Sequence, residues 1–210
     1  TVTPVAGADR NATTVTTYSL SLATAAGVAV VNGTDSGLDA GNDSDDPSNI
    51  YLHDIGGVVY GSTLETGTDA EVITNAVFTI AVDGTGIVTL TQISEIQHDN
   101  DAASSNYADQ VATLANDLVQ LTATAVVTDA DGDTATDSDT IDLGGNINFA
   151  DDGPSVTVAA TEDNDVDLTT LDAESLTSTS TDVSSAADFT SMFTVTPVAG
   201  ADRNATTVTT

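Results

Sequence analysis

One stretch of the sequence occurs twice, and this duplication constrains the architecture more than any other feature. Thr1–Thr17 reads TVTPVAGADRNATTVTT, and Thr194–Thr210 repeats all seventeen letters at an offset of 193 positions. An identity of this length does not arise by chance, so it indicates near-identical tandem units of about 193 residues. We therefore expect the chain to begin inside one unit and to end inside the next.

The boundary between the two units is predicted at Asn148–Pro154, which reads NFADDGP. Acidic residues and Gly-Pro interrupt a strand-like stretch there, and a new apolar alternation follows. Residues 1–153 are then most of one unit, and residues 154–210 open the next. Because the second part would lack the rest of its own unit, we expect a neighbouring molecule or the continuing chain to complete it by strand pairing.

The charge balance indicates what must stabilise the folded chain. There are 33 Asp and Glu residues against 2 Lys and Arg, a net charge of -31, although 40% of the residues are hydrophobic. The apolar content argues that the chain folds, and the unpaired carboxylates then repel one another. Salt screens such repulsion, whereas bound divalent cations neutralise it locally, and Asp-rich loops supply the oxygen ligands that Ca²⁺ prefers. We expect Ca²⁺ to be the cofactor.

The same composition excludes several partners. Nucleic acid and anionic membrane surfaces are recognised through Lys and Arg, of which the chain has 2 in all. The absence of Cys excludes disulfides and thiolate metal sites. No apolar run is long enough to span a bilayer. We therefore predict no nucleic acid partner and no membrane insertion.

The hydrophobic pattern predicts an all-β fold. Stretches that alternate at period two and are rich in Val, Ile, Thr and Ala are typical of half-buried strands. They predict a strand at Thr14–Leu22, a hairpin of Ala76–Val82 and Ile87–Gln92 around Asp83–Gly86, and a hairpin of Leu118–Thr128 and Asp133–Leu143 around Asp129–Gly132. In the second hairpin the alternation predicts inward-facing side chains at Val119, Leu121, Ala123, Ala125 and Val127 and outward-facing ones at Gln120, Thr122 and Thr124. Helical signals are confined to Ala108–Asp117 and Leu168–Ser175. We expect an antiparallel, Ig-like β-sandwich with little helix, repeated in tandem.

The clearest candidate metal site lies in the second predicted hairpin. Asp129, Asp131 and Asp133 occupy alternate positions across a turn that contains Gly, which can bring three carboxylates around one cation. An EF-hand loop begins similarly, but its sixth position is Thr134 here and its twelfth is Thr140, so the segment is not an EF-hand. A calcium ligand set and a solvated Asp-Gly turn both remain open.

A second acidic cluster is predicted at the junction between units. Its members are Asp151, Asp152, Glu162, Asp163 and Asp165. Calcium bound there would stiffen the joint between consecutive units, and an ordinary polar linker is the alternative.

Two other features have simpler interpretations. Asp35–Asp46 has the composition of a long exposed loop. His53 and His98 are the only histidines, and neither lies in a triad or zinc spacing. We predict that the chain is not an enzyme and has no catalytic residues.

Four segments of the chain are distinctive: FTVTPVAGAD (Phe193–Asp202), TYSLSL around Tyr18, the stretch Leu121–Gly145, and INFADDGPSV (Ile147–Val156). Together they resemble the long acidic repeats of giant type I secreted RTX adhesins. The resemblance implies a bacterial protein that is exported unfolded and extends an adhesive tip from the cell surface. Asn32–Asp69 departs from that pattern, and the glycine-rich nonapeptide of the RTX β-roll is absent.

The leading prediction is therefore a structural extender or stalk repeat of a secreted, calcium-dependent adhesin that supports surface attachment or biofilm formation. The alternative is a subunit of an extracellular filament or matrix, joined head to tail by strand complementation. The expected partners are neighbouring repeat units of the same protein. A module that binds sugar, ice or a host surface is a third class, and 4 Tyr and 4 Phe leave few aromatic residues for a sugar site.

Overall fold

The computed structural model describes residues 2–5, 12–41, 48–98, 110–160, 166–170 and 185–198. The chain forms two compact units, Thr1–Asp152 and Gly153–Thr210. In the described part of the chain, no helix is long and apolar enough to cross a membrane.

The described residues of the first unit form three antiparallel sheets and one short helix. The elements are β1 (Thr13–Leu22), β2 (Thr34–Ala40), β3 (Ser48–Ile55), β4 (Val58–Ser62), α1 (Asp69–Thr74), β5 (Ala76–Val82), β6 (Val88–Gln92), β7 (Val111–Thr113), β8 (Val119–Thr128), β9 (Thr134–Asp142) and β10 (Asn148–Ala150). A meander of five strands has the order β2-β3-β4-β5-β6, a second sheet has the order β1-β8-β9, and β10 pairs with β7. The predicted all-β, antiparallel sandwich fold with little helix is confirmed.

One hydrophobic core joins the sheets of this unit. Its fully buried side chains include Phe78 and Ile80 from β5 together with Leu114 and Val119, which belong to the same cluster. Burial of each such side chain contributes about 1.5–3 kcal/mol. The ring of Phe78 lies 5.1 Å from that of Phe149, measured between centroids and tilted by 48°. This aromatic pair ties the five-stranded sheet to β10.

Gly61 allows Phe78 to lie flat against the neighbouring strand. The two residues face each other in the ladder between β4 and β5. A Cβ atom at position 61 would overlap the Phe78 ring. The glycine is therefore required by a close side-chain approach and not by a turn.

The alternation of inward-facing and outward-facing side chains along β8 agrees only in part with the sequence prediction. Val119 is fully buried and Leu121 packs against the core, as expected for inward-facing residues. Ala123 and Ala125, farther along the strand, are only partly buried. Gln120 was predicted to face outward, yet it is 3% exposed. Beyond Leu121, the face of the β1-β8-β9 sheet that carries these alanines is thus less well covered.

The prediction of an exposed loop at Asp35–Asp46 is wrong over its first six residues. They lie in β2, where Ser36 and Leu38 are buried. The strand tolerates its acidic composition because it contains a bulge, at which Gly37 has a φ of +75° and donates its N–H to Asp35 Oδ1 at 2.8 Å. The remainder of the predicted loop beyond Gly41 lies outside the described residues.

The helix predictions also need correction. Within Ala108–Asp117, Val111–Thr113 forms strand β7 and pairs with β10. In Leu168–Ser175, the described residues 168–170 are not helical. The α-helix in the described part of the chain, α1, begins at Asp69 and is capped by Thr68, whose side chain and backbone exchange hydrogen bonds with Glu71 in a capping box.

The described residues of the second unit form a two-stranded ladder. Strand β11 (Ser155–Ala160) pairs antiparallel with β12 (Phe193–Val198), and a 3-10 turn at Thr190–Met192 precedes β12. Every residue of β11 is exposed. Two strands alone are marginally stable in water, and among the described residues of this unit nothing further packs against the ladder.

Candidate functional site

The turn that joins β8 to β9 is built by backbone and side-chain hydrogen bonds of Asp129. The Asp129 N–H donates to the Asp133 carbonyl at 3.0 Å, and the Asp133 N–H donates to Asp129 Oδ1 at 2.9 Å. Gly132 provides the positive φ of +97° that closes the turn. The local sequence therefore fixes the direction in which the acidic side chains emerge.

This turn brings three of the predicted ligands together. Asp129, Asp131 and Asp133 each offer a carboxylate oxygen within 4.8 Å of the other two. Ligand oxygens lie about 2.3–2.6 Å from a Ca²⁺ ion, so two of them on opposite sides of the ion are about 5 Å apart. The spacing of the three carboxylates is compatible with one shared ion.

The donor set fits a weak calcium site. Ca²⁺ takes about six to eight oxygen ligands, so three carboxylates leave several positions to water or backbone carbonyls. Asp129 is partly buried and already uses Oδ1 in the turn, while Asp131 and Asp133 are exposed. An exposed, incomplete ligand set of this kind would bind Ca²⁺ only weakly.

The junction residues are placed differently. Asp151 faces His98, with Oδ1 3.9 Å from the ring Nδ1, and Asp152 is exposed. Neither belongs to the group formed by the turn carboxylates. The other three predicted ligands are Glu162, Asp163 and Asp165, and they lie outside the described residues. Calcium at the junction therefore stays a prediction.

Comparison with protein families gives one match to the first part of the chain. A family model described as "Domain of unknown function (DUF5801)" matches residues 1–144. The chain belongs to the DUF5801 family. No curated protein and no solved structure matches it. The matched residues fall within the first compact unit, so the DUF5801 domain contains β1–β9 and the turn at Asp129–Asp133.

Carboxylates in the DUF5801 domain also bond to backbone amides, a role that the sequence analysis missed. Asp142 accepts from the Asp117 N–H at 2.9 Å through Oδ2 and from the Gly144 N–H at 3.0 Å through Oδ1. Asp54 Oδ1 accepts from the Gly57 N–H at 3.0 Å. An Asp that precedes a Gly by two or three residues is a recognisable turn signal, and it would have identified both. These acidic residues are stabilised by N–H donors and need no basic side chain.

Asp83 shows the same arrangement in the β5–β6 hairpin. Its Oδ1 accepts from the Thr85 hydroxyl at 2.7 Å, the Thr85 N–H at 2.8 Å and the Ile87 N–H at 3.0 Å. The Thr85 hydroxyl contributes most to holding the pKa of Asp83 below its usual value, and the Ile87 amide adds to it. The backbone N–H and then the side chain of Thr68 likewise lower the pKa of Glu71.

We predict that Asp83 makes hairpin stability depend on pH. A carboxyl whose pKa is lower in the folded state stabilises the fold fully above its unfolded value, here 3.8, and loses that contribution as the pH falls through the folded value. Asp83→Asn should therefore be less stable than the parent chain at neutral pH. The difference should shrink as the solution is acidified below 3.8.

Urea unfolding midpoints measured across this pH range in EDTA test the prediction. Asp131→Asn, at an exposed position in the other hairpin turn, removes the same charge and serves as the matched control. If the urea unfolding midpoints of Asp83→Asn and the parent chain differed by the same amount at all pH values, the proposed role of Asp83 would be contradicted.

Both histidines bond to backbone carbonyls. His53 is 5% exposed, and its Nε2 lies 2.8 Å from the Leu64 carbonyl oxygen. His98 Nε2 lies 2.9 Å from the Phe149 carbonyl oxygen. Because a carbonyl only accepts, Nε2 carries the proton in both rings. The two side chains therefore anchor loops to strands.

Proposed function

We propose that this DUF5801 chain is a structural extender repeat of a secreted, calcium-dependent bacterial adhesin, resembling the acidic repeats of RTX adhesins. Its role is to hold an adhesive tip away from the cell and to support attachment or biofilm formation. The proposal rests mainly on one observation, the exact recurrence of seventeen residues after 193 positions. Near-identical units in series make a protein longer. An extender needs only this length, so its units do not have to differ from one another in chemical function.

The charge distribution supports an extracellular, calcium-rich setting. The chain has a net charge of -31, and three carboxylates of one turn lie within 4.8 Å of one another. Extracellular modules bind Ca²⁺ weakly, at about 10⁻⁴–10⁻³ M, so folding can follow export from a cytosol poor in calcium. Ions bound only by the folded state stabilise it by mass action. On this proposal the protein has no catalytic activity.

Small-angle X-ray scattering of tandem proteins tests the stalk role. Proteins with one, two and three copies of residues 1–193 followed by Thr194–Thr210 would be compared in Ca²⁺ and in EDTA. We expect the maximum dimension in Ca²⁺ to increase by a constant amount with each added unit. In EDTA the increase should be smaller, because flexible joints give the shallower growth of a random chain. Compact particles in Ca²⁺, with no regular increase in length, would contradict the proposal.

A self-assembling filament or matrix subunit is the second candidate. It is favoured by the exposed β11–β12 ladder of the second unit, which lacks a packing partner in the described residues of that unit. An extender and a self-assembling subunit use the same repeat. They differ in whether contacts between units are made within one chain or between chains.

A further inference from the structure

The segment Val2–Val5 lies beside the far end of the β1-β8-β9 sheet, beyond Leu121. Across a half-open groove of about 480 Å³ it faces small apolar side chains of β8 and β9, which we call the alanine face: Ala123, Ala125, Val127 and Ala135. The three members in β8 are only partly buried, and the one in β9 is exposed. Val2–Val5 by itself therefore covers the alanine face incompletely.

The same four residues occur again in the second unit, with a different neighbour. Val195–Val198 repeats the sequence of Val2–Val5 and lies in β12, where it pairs with β11. In the first unit the four residues are not in a strand. The two units thus give two separate neighbours of one repeated segment, the alanine face in the first unit and β11 in the second.

The exposures of Val2 and Val5 indicate which side of the segment is turned toward the sheet. Val2 is 44% exposed, whereas Val5 is 82% exposed. Val2 corresponds to Val195, whose partner in the ladder is Val158. Residues that pair directly across an antiparallel ladder project from the same side, and so do alternate residues of one strand. A β11 strand paired with Val2–Val5 would therefore turn Val158 and Val156 toward the alanine face.

The chemistry of β11 matches this position. Val156 and Val158 are 62% and 61% exposed in the ladder, and β11 contains no charged residue. The groove is also lined by Asp137 and Asp139 of β9, and an uncharged strand brings no further carboxylate toward them. Burial of the two valines on small apolar side chains then gives a hydrophobic gain without added repulsion.

We propose that a β11 strand opens each sandwich of the repeat, pairs with the Val2–Val5 segment that follows it along the chain, and covers the alanine face. Tandem order supplies this strand, since residues 154–193 directly precede Thr194–Thr210 and the repeat places a copy of them ahead of each such segment. The strand belongs to the same polypeptide, so its effective concentration at the groove exceeds that of any separate molecule.

This inference concerns how one sandwich is completed and so goes beyond the proposed stalk function. The pairing involves no calcium ligand. Experiments in EDTA therefore separate it from the calcium-dependent role, and either one can fail without the other.

Extension of the full chain tests the proposal. A second copy of residues 154–193 is placed ahead of Thr1, so that the added β11 reaches Val2–Val5 through its own linker. Urea unfolding in EDTA, followed by circular dichroism, compares the extended protein with the full chain. We expect the unfolding midpoint of the first unit to rise by about 0.5–1 M, because the sandwich gains a strand and two buried valines. An unchanged midpoint would overturn the proposal.

Charged variants of the extended protein test which side of β11 is buried. Val158→Asp in the added copy should abolish the rise. Thr157→Asp in that copy adds the same charge to the opposite side and should keep most of it. Val158→Asp in the original copy, which pairs with β12, should leave the midpoint of the first unit unchanged. Equal losses from the two variants of the added copy would contradict burial of the valine side.

A disulfide tests the register without relying on stability, because the chain has no Cys of its own. Thr157 pairs with Thr196, which corresponds to Thr3. Directly paired residues have Cα atoms about 4.5–5.5 Å apart, within the range of a disulfide. Thr157→Cys in the added copy should therefore cross-link to Thr3→Cys within one chain.

The matched control for the cross-link is Thr157→Cys with Val5→Cys, two residues along on the same side. Diagonal neighbours are about 7–8 Å apart, so we expect the control to cross-link about tenfold more slowly. Equal rates for the two pairs would overturn the proposed register. Cross-links formed between chains in place of within one chain would identify a separate molecule as the partner and would overturn the proposal.

Discussion

Addition of about 10 mM Ca²⁺ to the calcium-free chain should raise its melting temperature by about 5–10 °C for each site of Kd near 10⁻⁴ M. At one hundred times Kd, binding to the folded state alone contributes about 2.7 kcal/mol, and each kcal/mol moves the melting temperature of a chain of this size by about 2–4 °C. The reason is specific to this sequence. The chain has 33 acidic and 2 basic residues, so bound calcium would both fill a site and reduce the repulsion between carboxylates.

The double variant Asp131→Asn, Asp133→Asn isolates the contribution of the β8–β9 turn. We expect it to lose the part of the calcium-induced shift that this site provides, about 5 °C or more. The matched control is Asp137→Asn, Asp139→Asn, which removes the same charge from the exposed strand β9 and should keep the shift.

Differential scanning calorimetry in EDTA, in Ca²⁺ and in NaCl of equal ionic strength gives the measurement. Sodium chloride should raise the melting temperature only modestly, because screening acts on the net charge and fills no site. The same rise in NaCl and in Ca²⁺ would assign the whole effect to screening and would remove calcium from the proposed function.

Phe78→Ala is expected to lower the free energy of unfolding by about 3–5 kcal/mol, the usual cost of truncating a fully buried aromatic side chain. Phe78 is 0% exposed, its ring lies 5.1 Å from the Phe149 ring at a tilt of 48°, and it fills the space above Gly61. Its removal leaves a cavity beneath two strands. The loss is a large part of the 5–15 kcal/mol that stabilises a typical domain.

Ile93→Ala is the control, because Ile93 is 58% exposed and a surface truncation changes stability by about 0.5 kcal/mol or less. Chemical denaturation of both variants in the same buffer makes the comparison. A loss below about 1 kcal/mol for Phe78→Ala would show that this ring is not a main support of the core.

The sequence predicts those elements whose signals are local. The hairpins around Asp83–Gly86 and Asp129–Gly132 combine two alternating segments with an Asp-Gly turn, and both are present where expected. The close approach of three aspartates in the second turn follows from the same local geometry. Their alternate spacing was enough to propose the ligand group.

Elements that depend on distant partners escaped prediction. Val111–Thr113 carries an alanine-rich context that favours helix, but its pairing with Asn148–Ala150 makes it a strand. β2 looked like a solvated loop because its bulge satisfies the backbone with the side chains of Asp35 and Ser36. The placement of Gly61 opposite Phe78 likewise depends on sheet register, which the sequence pattern did not give.

The short helix α1 is a different case, because its signal was available. Thr68 and Glu71 have the spacing of a capping box, and the structure forms both of its hydrogen bonds. A search for that motif would have identified the start of the helix.

The acidic edge of the β1-β8-β9 sheet affects how the chain folds when other copies of it are close by. β9 is exposed along most of its length and forms the open side of that sheet, where Asp137 and Asp139 lie across from Ala125 and Ala123. Open edges template the addition of further strands, and charges on them discourage it. Neighbours of nearly the same sequence are especially prone to exchange strands while they fold. Mutual repulsion of these aspartates would keep neighbouring copies apart until each has closed on its own core.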